Sequence, residues 1–124
     1  MTYTTEIRFS SRVLGKNATM NLKAHKVYQT IRSHFSLPVD QDKVLSDPLP
    51  IYLDDQLIGH AQVYHIKLIS LADLHYNDVI AGGFRNYDEL ISALKRAGYR
   101  FKKIEDYKAY IVRFIWTEKK EEKS

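Results

Sequence analysis

The stretch "YKAYIVRFIW", residues 107 to 116, limits the fold more than any other part of the chain. Tyr110, Val112, Phe114 and Trp116 alternate with Ile111, Arg113 and Ile115, the two-residue period of a strand. A strand with one wet face carries polar residues at every second position, and between Ala109 and Trp116 only Arg113 is charged. Both faces therefore need cover. A strand that packs inward on a core and outward against a helix, as in a small barrel, meets that requirement.

Partners for it are visible elsewhere. "YTTEIRF" (residues 3 to 9) alternates Tyr3, Thr5, Ile7 and Phe9 against Thr4, Glu6 and Arg8 and reads as a strand. "KVYQTIRSHF" (residues 26 to 35) alternates again, with Tyr28, Thr30 and Arg32 on one side and Val27, Gln29 and Ile31 on the other. Between these two strands, Val13, Leu14, Met20 and Leu22 have helical spacing interrupted by Gly15, which predicts a broken helix or a loop followed by a short helix. Residues 36 to 48 mix Pro, Asp and Ser and read as a long surface connection. "LPIYLDDQLIGHAQV" follows as a hairpin turning at Asp54-Asp55. In its second strand Ala61 and Val63 keep one phase, whereas Ile66 and Leu68 have slipped to the other. One extra residue near Tyr64 or His65, a β-bulge, reconciles them and suits a sheet that curls.

Ser70 reads as an N-cap opening "SLADLHYNDVIAGGF", which stops at Gly82-Gly83. The clearest helix follows: Asn86 and Glu89 have capping-box spacing, Leu90, Ala93, Leu94 and Ala97 form an apolar stripe, and Gly98 supplies the stop. The sum is an α+β fold, a small mixed β-barrel of about five or six strands with two or three flanking helices.

With 124 residues the chain has length for one core, so residues 1–117 read as a single domain and the charged segment 118–124 as a frayed tail. The absence of cysteine removes disulfides, thiolate metal sites and cysteine nucleophiles, and makes a reducing cytoplasmic setting the expectation. No apolar run approaches the roughly 20 residues that span a bilayer, so no membrane association is expected. The five histidines show no paired-ligand spacing and no Gly-rich phosphate loop occurs, so neither metal nor cofactor is expected.

Charge is unevenly spread. Residues 1–38 and 92–117 each carry a net charge of +5, while the middle of the chain is acidic. If the two basic segments meet in space, they form a one-sided field that attracts polyanions.

Four pieces, in order, carry a family resemblance: "IRFSS", the "K..QTIR" pattern from Lys26 to Arg32, "IGHAQV", and "LADLHYNDVIAGGFRNYDELISALKRAGY" followed by "YIVRF". With these the chain resembles an ASCH domain of the PUA-like superfamily. The resemblance implies a β-barrel with a cleft beside flanking helices, and RNA binding in many members. Some bacterial members are hydrolases of acylated cytidine-type nucleosides that use a Lys, a Thr and a Glu, and ribonuclease activity has been attributed to others.

Carried onto this chain, the catalytic pattern gives Thr30 as nucleophile, Lys26 as base and Asp78 as the group that orients it. Two positions depart from that pattern. Val27, not Lys26, stands three residues before Thr30, and Gly82, not an acid, precedes Gly83-Phe84. A one-residue shift on a strand turns a side chain to the opposite face.

The binding pattern is fuller. Arg32 offers a fork of donors to phosphate, Gln29 suits a base edge, Tyr28 a stacked base, and Lys23 and Lys26 lie just upstream. "KRAGYRFKK" interleaves Tyr99 and Phe101 with basic side chains including Arg96, Arg100, Lys102 and Lys103. The structural alternatives are that Arg32 pairs with Glu6 on a neighbouring strand and that Tyr99 and Phe101 anchor a loop. The function expected is a nucleic-acid-binding module that takes single-stranded RNA or nucleotides in a basic cleft. A small hydrolase centred on Thr30 is the alternative, and an adaptor for an acidic protein the third.

Overall fold

The computed structural model describes residues 2–38, 44–100 and 107–118. Lys102, Lys103 and Phe101, residues 39–43 of the long connection and residues 119–124 of the tail lie outside the described residues. Five strands form one sheet: β1 (Ile7–Phe9), β2 (Gln29–Arg32), β3 (Leu49–Leu53), β4 (Gln56–Ser70) and β5 (Lys108–Trp116). Four helices flank it: α1 (Ser11–Leu14), α2 (Lys16–Lys23), α3 (Tyr76–Ala81) and α4 (Tyr87–Arg96), with a 3-10 turn at Leu71–Asp73. The spatial order is β1-β3-β4-β5-β2, with β1 parallel to β3 and the other pairs antiparallel.

This is the expected α+β architecture, a curled half-barrel, with four α-helices in place of two or three. Gly15, at φ 82°, splits one helical pattern into α1 and α2, so the broken helix counts twice. The curl comes from β4, the longest strand, which carries two register shifts. One lies between Val63 and His65, where the phase of the sequence changes, and the other faces Ile51 and Tyr52. Each extra residue bends the strand and increases its twist. The β3–β4 turn uses Asp54 and Asp55 at φ 49° and 67°, the positive angles that a two-residue hairpin matched to strand twist requires.

The two faces of β5 are covered as its sequence requires. Val112 and Phe114 point into a core with Ile7, Leu22, Ile51 and Val63 inside the curl. Ala109 and Ile111 meet Leu71, Val79, Leu90 and Leu94 on the helical side.

Several boundaries differ from the sequence reading. β1 is three residues long, and β2 begins at Gln29, not Lys26. The reason for the second is that the Lys26 N–H donates to the Asn21 carbonyl, closing off α2, and the Tyr28 N–H donates to Ala81 of α3. Ser70 caps the 3-10 turn, its hydroxyl accepting from the Ala72 N–H, and not a longer helix. On α4 the Asn86 side chain accepts from the Glu89 N–H at 2.9 Å, but the Glu89 carboxylate turns to the Arg85 N–H, so half of the capping box forms. Ala97 is the exposed C-cap and not part of the buried stripe.

Candidate nucleotide cleft

Because the sheet is curled but not closed, its two edge strands β1 and β2 face one another. They join at one end, where the Thr4 N–H donates to the Ser36 carbonyl at 2.7 Å and the Ser36 N–H to the Thr4 hydroxyl at 3.0 Å. Beyond that junction they part, and α1 and α4 frame a cleft of about 600 Å³. Its lining includes Phe9, Phe84 and Tyr99 among the aromatics and Arg8, Arg12, Arg32 and Arg96 among the cations.

Arg32 is the central cation. Its Nε donates to the Thr30 hydroxyl at 3.0 Å, and its guanidinium lies 4.8 Å over the centre of the Phe9 ring. Among the described residues no carboxylate pairs with it. Glu6, the partner that the neighbouring-strand alternative supplied, accepts from Arg8 at 2.9 Å instead. Burial pulls the Arg32 guanidinium down from the usual arginine range to about 10, and nearby Tyr99 opposes the shift. It therefore keeps its charge at neutral pH.

The acids at the cleft are occupied. Asp55 accepts from Arg8 at 2.7 Å, and the Asp54 carboxylate accepts from the Ser11 hydroxyl and N–H, which holds it below the usual carboxylate range. Asp78 is buried: one oxygen accepts from the His75 N–H at 2.9 Å, and the other lies 3.3 Å from Arg113. Arg113 in turn donates to the Gln29 side-chain oxygen at 3.0 Å, and the Gln29 amide reaches the Asp78 carbonyl at 3.4 Å. Gln29, Asp78 and Arg113 thus form a polar wall. Behind it a second groove of about 610 Å³ is lined by His65, Lys67, His75 and Lys108.

Of the residues singled out in the sequence, the structure brings Gln29, Thr30, Arg32, Asp78, Arg96 and Tyr99 to the cleft, and Tyr99 also packs against the helical-side core. Arg96 also ties α4 to α1, its Nε donating to the Val13 carbonyl at 2.8 Å. Lys23, Lys26, Tyr28 and Arg100 are exposed and do not line it. Lys26 precedes the strand, whereas Thr30 is buried within it and holds the hydrogen bond from Arg32, so Thr30 and Lys26 are not brought together at the cleft. Arg8, Phe9, Arg12 and Phe84 were missed as a group. The N-terminal basic excess was a signal for the two arginines, but their arrival beside Arg32 depends on the meeting of two strand edges that do not pair.

The histidines take separate places. His25, at φ 57°, stacks on Trp116 with ring centres 3.8 Å apart, its Nε2 lying 2.9 Å from the Ile58 carbonyl. His60 meets Glu118 at 2.9 Å. Among the described residues no three His, Asp or Glu side chains converge as metal ligands would, and no helix is long and apolar enough to cross a membrane.

No protein-family model matches the chain, and no curated protein matches its sequence. Among solved structures, the chain is similar to the crystal structure of protein EF3133 from Enterococcus faecalis V583, described under the family model DUF984. The match covers 94% of this chain and 82% of that one at 13% identity, with a TM-score of 0.61. At that identity the likeness is one of fold.

Proposed function

We propose that the cleft between β1, β2 and α4 binds a nucleotide, either free or as one unit of single-stranded RNA. The observation that carries this reading is Arg32, a guanidinium held in a fixed orientation by Thr30 and Phe9 with no carboxylate beside it among the described residues. A half-buried cation without a carboxylate partner is costly, and an anion entering the cleft supplies the missing charge. Arg12 and Arg96 add positive charge at the rim, and Phe9, Phe84 and Tyr99 add the aromatic surface that a base requires. The volume, about 600 Å³, suits one nucleotide and not a folded nucleic acid. The resemblance to ASCH domains supports the same ligand class, and the absence of cysteine fits a reducing, cytoplasmic setting.

The test is titration of fluorescently labelled short single-stranded RNA, duplex RNA and single-stranded DNA at two salt concentrations, with nucleoside monophosphates as competitors. Saturable binding of single strands that weakens with salt, is displaced by monophosphates and is lost in Arg32→Ala is the expected result. Absence of binding at low salt, or binding indifferent to Arg32, would overturn the reading.

A further inference from the structure

Residues 29 to 33 all line the cleft. Side chains on a strand alternate between faces, so five consecutive residues share a cavity only if that cavity runs along the strand's free edge. β2 has such an edge, because it ends the strand order with β5 on one side only.

The register shows which backbone groups point there. The Phe114 N–H donates to the Tyr28 carbonyl at 3.0 Å, and Thr30 stands opposite Val112. In an antiparallel ladder, alternate residues exchange both bonds with the partner, so Thr30 turns its N–H and C=O to β5 and Ile31 turns both away from it. At one end of the edge α3 closes over Tyr28, whose N–H meets the Ala81 carbonyl at 2.8 Å. At the other end Thr4 meets Ser36. By the same alternation Gln29 faces as Ile31 does, and Ile31, the one flanked by Thr30 and Arg32, presents one donor and one acceptor, side by side, to the cleft.

We propose that this edge reads the pairing edge of an unpaired base through the N–H and C=O of Ile31. The proposal rests on the nucleotide reading above and deepens it. Every base carries an adjacent donor and acceptor on its pairing edge, in one order or the other, and a strand-edge residue is complementary to either. Recognition of this kind requires that edge to be free, so duplexes are rejected. An added peptide strand is the other occupant that a free edge can take, but it pairs along several residues, and here the closures leave only the short run from Gln29 to Ser33. The arginines around the cleft also favour a ligand that carries phosphate.

The experiment is calorimetric titration with two small sets of ligands. One set is uridine 5′-monophosphate with its 3-methyl and 5-methyl derivatives; the other is adenosine 5′-monophosphate with its N6,N6-dimethyl derivative. Methylation at N3 or N6 blocks the pairing edge, whereas the 5-methyl group leaves it free. Losses of roughly tenfold or more for the 3-methyl and dimethyl ligands, with 5-methyl binding about unchanged, are expected.

Ile31→Pro removes the outward N–H without touching a ladder bond, and an edge strand can hold proline. That variant is expected to bind the unmodified nucleotides about tenfold more weakly. Should it fail to fold, the methylated ligands decide on the unaltered protein. Binding that depends on Arg32 but is indifferent to methylation would overturn the edge readout and leave the nucleotide reading standing. If neither parent nucleotide binds, or an unphosphorylated extended peptide binds in their place, both fall.

Discussion

The guanidinium of Arg32 on β2 lies 4.8 Å over the ring of Phe9 on β1, so the two outermost strands of the sheet touch through side chains where they share no backbone pairing. This contact fixes the direction in which the charge is presented. Since Arg32 gives up hydration without gaining an ion pair among the described residues, its presence is a cost to the empty fold. Arg32→Met keeps much of the volume over Phe9 and removes the charge. Unfolding temperature is expected to stay level or rise by a few degrees, while affinity for a nucleoside monophosphate falls at least tenfold, about 1.4 kcal/mol. Thermal unfolding and calorimetry on the same samples check both halves.

The depressed Arg32 value gives a pH dependence with a definite sign. Below about pH 10 the guanidinium is protonated both in the fold and in the unfolded chain, and the burial penalty is present in full. Between about 10 and the higher, ordinary arginine value of the unfolded chain the folded protein releases its proton first, so this one group makes stability rise with pH through that window. Anion binding runs the other way. Affinity for a monophosphate is expected to be flat from pH 7 to 9 as far as Arg32 is concerned and to fall above about 10, and the fall should be absent in Arg32→Met. Titrations at matched ionic strength across that range measure it.

Asp78 holds the start of α3 through the His75 N–H and also meets Arg113, which steadies Gln29 in the polar wall. Asp78→Ala is expected to cost about 2 kcal/mol, or roughly 5–10 °C in unfolding temperature. Asp78→Asn keeps an acceptor for the His75 N–H and loses the charge facing the partly exposed Arg113, so about half that cost is expected. Equal losses in the two variants would show that the charge, and not the cap, carries the effect. Chemical denaturation of the three proteins separates them.

What could be read from the sequence follows the range over which each signal acts. The bulge at Tyr64 was legible because a change of phase between Val63 and Ile66 is local, and the Asp54-Asp55 turn because its residues tolerate positive φ. The cap at Asn86 was legible for the same reason. The start of β2 was not, since alternation continues back to Lys26 while the Tyr28 N–H is taken by Ala81, more than fifty residues away. That distant bond decided which of the sequence candidates reach the cleft: Thr30 and Arg32 fall inside the strand, Lys26 and Tyr28 outside it. The approach of Phe9 to Arg32 left no trace in either segment, because it follows from the curl that β4 imposes on strands it does not adjoin in sequence.

Two glycines share an uncommon backbone conformation and differ in the space around them. Gly83, at φ 92°, has Val27 Cγ2 only 2.7 Å from where a Cβ would sit, whereas Gly98, at φ 107°, has no atom within 4 Å. Alanine at Gly98 meets backbone strain alone, about 1–2 kcal/mol. Alanine at Gly83 meets the same strain and also pushes against Val27, which is fully buried in the core and leads into β2. An overpacking cost of roughly 1–3 kcal/mol adds to it there. Gly83→Ala is therefore expected to lower the midpoint of urea unfolding by about twice as much as Gly98→Ala. Because Val27 stands just before the strand that carries Thr30 and Arg32, the first variant should also weaken nucleotide binding and the second should leave it unchanged. Equal shifts in the two midpoints would mean that the approach of Gly83 to Val27 relaxes freely and does not help to set the position of β2.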